Sequence, residues 1–260
     1  MSRKQRVPEG PPPEPVVQKV RLRYAKRGRL RFISHRDFAR ALERALRRAG
    51  APVAYSAGFT PHPKISYVGA APTGAASEAE YVEIALRARV DPEAFGRAVD
   101  ASLPPGLDVV ECVEAAAGGS LADRIDAAAW DVRLPGVPVE VARAALEAFL
   151  ARDAVEVERR TKDGTRLLDA RAAVRHAEVR MSGGEPACAI LGLVVRQCTP
   201  AVRPDDVLSG LRAVAELVPP APPEATRTAQ GLLDEAGHLA DPLAPDRAAS
   251  AERSAADTPA

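Results

Sequence analysis

The sequence predicts an α+β protein of two ferredoxin-like (βαββαβ-type) lobes, on three observations. Apolar and polar residues alternate with period two in short stretches, as half-buried strands require. Capped apolar stripes at helical spacing separate those stretches, and the first lobe orders its elements β-α-β-β-α-β. Residues 1–17, with the run Gly10-Pro11-Pro12-Pro13-Glu14-Pro15, are expected to form a disordered arm. The first lobe is assigned to 18–115, a small-residue connector to 116–128, the second lobe to 129–218 and a disordered Pro/Ala/Asp-rich tail to 219–260.

The first strand follows from the alternation in Lys19-Val20-Arg21-Leu22-Arg23-Tyr24. A turn at Lys26-Arg27-Gly28 leads to Leu30-Arg31-Phe32, where the alternation resumes. Ser34 is a helix N-cap, with Asp37 completing a variant of the capping box. The helix that follows buries Phe38, Leu42, Ala45 and Ala49, and Gly50 is placed to stop it. Ile65–Val68 and Tyr81–Arg87 are strands, and Asp91-Pro92 pairs an N-cap with proline at the first helical position. Pro104-Pro105-Gly106 ends that second helix, and Leu107–Val113 closes the lobe.

The second lobe repeats the plan loosely. Strands are expected at Trp130–Leu134 and Val155–Arg159, with a helix over Pro138–Leu150 between them. Lys162-Asp163-Gly164-Thr165 carries the Asp-Gly hairpin signal, with Leu167–Val174 as the returning partner. Ala177–Met181 and Ala187–Arg196 flank a Gly183-Gly184 turn, and a helix runs from Pro204 to about Leu217.

A near-neutral total hides an asymmetric charge distribution. Through Lys64 there are 16 Lys/Arg against 4 Asp/Glu, out of 36 and 35 in the whole chain. A basic segment this concentrated suits a phosphate backbone or an acidic protein surface, unless it pairs internally with the acidic remainder. Within it, Arg36, Arg40, Arg44 and Arg48 recur every four residues with Arg47 beside them, forming a ridge opposite the Phe38/Leu42 stripe. Guanidinium groups favour bidentate contact with phosphate, although a solvated arginine face is the plainer reading.

Two further features are candidates for chemistry. The loop from Tyr55 to Lys64 sets Tyr55, Phe59, His62 and Lys64 on a backbone stiffened by Pro61 and Pro63, apt for stacking a base or for packing Phe59 inward. His35, next to the N-cap, is the weak candidate for acid–base work, against the simpler role of bonding a neighbouring loop. The polar segment Arg227-Thr228-Ala229-Gln230-Gly231 has no physical reading at this level.

Several patterns are missing from the sequence. There is no CxxxCxxC, no GxxxxGK[ST], no GxGxxG, no GxSxG and no aromatic RNP pattern, so no metal or cofactor is expected. The three cysteines, Cys112, Cys188 and Cys198, are far apart and fit reduced thiols in a cytoplasm. No stretch approaches the roughly 18 apolar residues of a membrane span, and no secretory signal is recognised at the N-terminus.

The runs Phe32-Ile33-Ser34-His35-Arg36-Asp37, Arg40 to Ala49, and Tyr55-Ser56-Ala57-Gly58-Phe59-Thr60-Pro61-His62-Pro63-Lys64-Ile65-Ser66 resemble the radical SAM-linked (radical SAM-associated) protein family. Glu78–Leu86 and Lys162-Asp163-Gly164 extend the likeness, which covers roughly Lys19–Leu217. The resemblance implies a stand-alone form of that domain, a radical SAM enzyme as partner, and no catalytic residues to carry over. The expected function is a non-catalytic accessory protein that binds structured RNA, or another anionic partner, through its basic lobe. The alternatives are a metal-independent endoribonuclease using His35 with Lys64 or Tyr55, and a protein-docking module without a nucleic-acid role.

Overall fold

A computed structural model describes residues 14–161, 164–183 and 188–256. It is a mixed α+β protein with a large, mostly antiparallel sheet and, among the described residues, five α-helices. Two compact units divide the chain. The first draws on 14–73, 80–121 and 243–256, and the second on 74–79 and 122–242.

In the first unit β1 (Gln18–Lys26) leads through a 3₁₀ turn (Gly28–Phe32) to α1 (His35–Arg48). Strands β2 (Ile65–Val68) and β3 (Ala76–Leu86), helix α2 (Pro92–Asp100) and strand β4 (Leu107–Glu114) follow, and the strands lie in the order β4-β1-β3-β2. Val20, Leu22 and Tyr24 of β1 alternate into the core, where they meet Phe38, Leu42 and Ala45 of α1 and Val82, Ile84 and Leu86 of β3. The Tyr24 and Phe38 rings stack at 4.3 Å. Gly50, at φ +64°, gives α1 the left-handed residue that ends it. At Gly96 a Cβ would come within 2.8 Å of the Cys112 Cβ, so glycine lets α2 lie close on β4. Burial, then Asp91 and Glu111, push the Cys112 thiol up to about 12.

The second unit contains β5 (Ala127–Leu134), α3 (Val139–Leu150), a separate hairpin of β6 (Glu156–Thr161) and β7 (Gly164–Asp169), then β8 (Val174–Met181) and β9 (Ala189–Arg196). Helix α4 (Pro204–Ala215) and strands β10 (Glu224–Leu233) and β11 (Leu239–Ala240) complete it. The order is β10-β5-β9-β8, with β11 beside β10. Residues Ala76 and Ser77, the start of β3, pair in parallel with Thr226 and Arg227. Gly210 of α4 meets the Phe149 ring of α3 so closely that a Cβ would sit 2.7 Å from it.

Three expectations need correction. Leu30–Phe32 does not continue the alternating strand. Gly28 turns the chain at φ +54°, Leu30 N–H donates to the Arg27 carbonyl, and Phe32 is left exposed. Leu167–Val174 is not one strand either, because β7 ends at Asp169, whose carboxylate accepts from the N–H groups of Arg171 and Ala172 and turns the chain.

The largest difference is the tail, expected to be disordered from Pro219 on. It forms β10, β11 and α5 (Ala244–Ala256), the last packed in the first unit. Two facts account for it. Glu224–Gly231 bonds along β5, and the Asp246 carboxylate of α5 is fully buried against the Arg21 guanidinium. The segment Arg227–Gly231 is thereby part of a sheet strand. Arg227 is buried over the Trp130 ring, and Gln230 donates to the Ala79 carbonyl. Gly231 lies against the Ala240 backbone, where a Cβ would stand 1.9 Å from the carbonyl oxygen. Met1–Pro13 of the expected arm, Lys162 and Asp163 of the hairpin signal, Gly184, and Asp257–Ala260 lie outside the described residues.

Candidate functional site

Helix α1 begins where expected. The Ser34 hydroxyl accepts from the Asp37 N–H at 3.1 Å and donates to the Asp37 carboxylate at 2.7 Å. Phe38, Ala41, Leu42, Ala45 and Leu46 face the core, so the five arginines are held on the outer side. Arg36, Arg40, Arg44, Arg47 and Arg48 are all exposed. Arg40 stands 3.6 Å from Asp37. Among the described residues, Arg36, Arg44, Arg47 and Arg48 make no side-chain hydrogen bond or ion pair.

Several of the other basic residues near the N-terminus have partners. Arg21 bonds Glu83, Asp246 and the Gly119 carbonyl, Lys26 reaches the carbonyls of Ala71 and Pro72, and Arg27 pairs with Asp108. On α1, by contrast, four of the five arginines are left to solvent.

The loop after α1 closes on itself. The Ser56 N–H donates to the His62 carbonyl, and the His62 N–H donates back to the Ser56 hydroxyl. Ala54 and Lys64 are clamped to each other and to Ala85 by backbone bonds, with the Lys64 side chain left outside. Gly58, at φ +130°, allows the bend at the tip. Phe59 does not pack into the core: it is 76% exposed.

Helix and loop together bound a groove of about 250 Å³. Its wall from α1 is Glu43, Leu46 and Arg47, and from the loop Tyr55, Pro61, His62 and Pro63, over Ala51 and Val53. Of the expected site residues, Arg47 and His62 share this groove. Arg36, Arg40, Arg44, Arg48, Phe59 and Lys64 do not line it. Glu43 and Tyr55 do, and Glu43 was not among the sequence candidates; its one signal was being the sole acid between Arg40 and Arg48. Glu43 makes no hydrogen bond or ion pair among the described residues, although Arg47 lies one turn on. Its charge reaches Tyr67. Burial, and then Glu43, push that phenol up to about 12, so it stays a neutral hydroxyl at ordinary pH.

His35 sits edge-on to the Tyr67 ring at 4.9 Å, not beside Tyr55 or Lys64 in any bonded pair. Among the described residues no three His, Cys, Asp or Glu side chains are grouped as a metal site requires. Cys112, Cys188 and Cys198 are free thiols, and no described helix is long and apolar enough to cross a membrane.

No curated protein matches the chain. Residues 19–204 match the model of a family described as an uncharacterized protein conserved in bacteria (DUF2344), and the chain belongs to that family.

Proposed function

We propose that the chain is a non-catalytic accessory protein that binds RNA through the outer face of α1 and the neighbouring loop, in association with a radical SAM enzyme in the cytoplasm. The observation that supports it is the state of the arginines: on α1 four of five have no partner among the described residues. Such cations are available to phosphate, and counterions released from the nucleic acid supply much of the binding free energy. The radical SAM association rests on the sequence resemblance, and the free thiols suit a reducing compartment.

We also read both units as ferredoxin-like. In the first, β-α-β-β-α-β with order β4-β1-β3-β2 supports this. In the second, β5, α3, β8, β9, α4 and β10 with order β10-β5-β9-β8 support it, the β6–β7 hairpin being an insertion. The last strand, β10, comes from the Pro/Ala/Asp-rich C-terminal segment.

The test is fluorescence anisotropy with labelled total cellular RNA across a salt series. Binding is expected to weaken linearly on a log–log plot. Substituting Arg44→Glu, Arg47→Glu and Arg48→Glu together should flatten the slope by roughly 2, at about 0.7 per lost contact with single strands. Salt-insensitive binding overturns the reading. An RNA-free protein that copurifies with an acidic partner moves the function to protein docking.

A further inference from the structure

We infer that the groove between α1 and the 55–63 loop takes one unpaired nucleobase, with Glu43 accepting hydrogen bonds from its Watson–Crick edge. This rests on the RNA-binding reading and gives it a substrate class: single strands carrying an exposed base with amino donors on its Watson–Crick edge, guanine above all.

Size is the first argument. The groove holds about 250 Å³. That lies below the roughly 300–1,000 Å³ of pockets that enclose whole drug-sized ligands and matches one ring system. The lining is the second. Leu46 and Val53 are buried apolar side chains in its lining, and Pro61 and Pro63 add apolar ring surface. Tyr55 lines it and is 44% exposed, so its ring is available for a base to stack on. The walls are already in place, because the loop neck is closed by the paired Ser56–His62 bonds, and a preformed wall reduces the ordering cost of binding.

The third argument is chemical. An ionised carboxylate is an acceptor only. Glu43 has no bonded partner among the described residues, yet it stands in a groove beside Arg47. Guanine presents two adjacent donors, N1–H and the N2 amino group, which match the two carboxylate oxygens. Adenine and cytosine present one amino group each. Uracil presents a single N3–H between two carbonyls that repel the carboxylate. Duplex RNA hides this edge in its base pairs. Arg47 at the groove, with Arg44 and Arg48 on the same helix, then lies where flanking phosphates run.

The experiment uses the full chain and labelled oligouridylates of about ten nucleotides, within the span of single-strand sites. One central uridine is replaced by guanosine, adenosine or cytidine, and a perfect duplex serves as comparison. The guanosine strand is expected to bind about tenfold more tightly than the all-uridine strand, the usual order for one well-read base. Glu43→Gln removes a negative charge, so it should strengthen binding to the all-uridine strand while erasing the preference for guanosine. A merely structural role for Glu43 would move all strands together. Salt-dependent binding without base preference, or duplex binding equal to that of the single strand, overturns the inference and leaves the RNA-binding reading standing. No binding to any of these RNAs overturns both.

Discussion

Arginine has opposite fates on β1 and on α1, although both lie in the same basic stretch of sequence. Arg21 is 2% exposed and bonded to Glu83, Asp246 and the Gly119 carbonyl. Arg44, Arg47 and Arg48 are exposed and without partners among the described residues. Geometry explains the divergence. A strand alternates its side chains, so with Val20 and Leu22 in the core Arg21 must face the other side of the sheet, where it meets α5. A helix with one apolar stripe turns its remaining positions to solvent. Formal charge in a segment is therefore a poor measure of charge on its surface, and mutations at the two sites should separate stability from binding.

The largest effect is expected at Arg21. Arg21→Met leaves the Asp246 carboxylate buried without its cation, and breaking a buried pair from one side costs about 3–5 kcal/mol. Urea unfolding measures it. Arg47→Met should change stability by no more than about 0.5 kcal/mol, as surface substitutions usually do. Pairing Arg21→Met with Asp246→Leu should recover most of the loss, since removing both charges removes the unmatched one. Equal stability of the two single variants would break the comparison.

The same contrast shows what could be read from sequence. Helix α1 was legible because its signals are local: Ser34 and Asp37 cap it, Phe38, Leu42 and Ala45 face inward at helical spacing, and Gly50 stops it. The exposed arginines follow directly from that stripe. Whether an arginine is paired was not legible, because its carboxylate can be remote: Asp246 lies 225 residues from Arg21. The tail failed for the same reason. Prolines and alanines argued against order, but β10 is held by β5 and by Ala76 and Ser77, partners that no local pattern reveals. Alternation at Leu30–Phe32 misled in the opposite sense, since it occurs without a strand partner to realise it. The groove depends on the folded loop meeting α1, so Glu43 passed as one acid in a basic run.

A smaller effect appears on acidification. Burial alone would raise the Glu83 carboxyl, but hydrogen bonds from Lys19 and Arg21, and then their charges, outweigh it and hold it below its ordinary value of 4.5. A group depressed in the folded state binds fewer protons there than when unfolded. Its stabilisation is therefore complete above about pH 4.5 and is lost as pH falls through the folded value. Urea midpoints of the parent should decline across that acid window. Glu83→Gln should show a shallower decline and a lower plateau near neutrality. An unchanged slope would mean that Glu83 is not anchored to β1 as described.

The smallest change tests whether α1's foundation and its outer face are separable. Ser34→Ala removes the acceptor for the Asp37 N–H and should cost about 1 kcal/mol, whereas Ser34→Gly should cost only roughly a few tenths of a kcal/mol. Both would be read as shifts in urea midpoint at constant slope. The arginines stand on the outer side because Phe38, Leu42 and Leu46 hold the helix to the core, and the cap does not change that orientation. Affinity for RNA at temperatures well below unfolding should therefore match the parent. A loss of affinity larger than the loss of stability would show that the helix must be capped for its arginines to reach phosphate, and would tie the two halves of the comparison together.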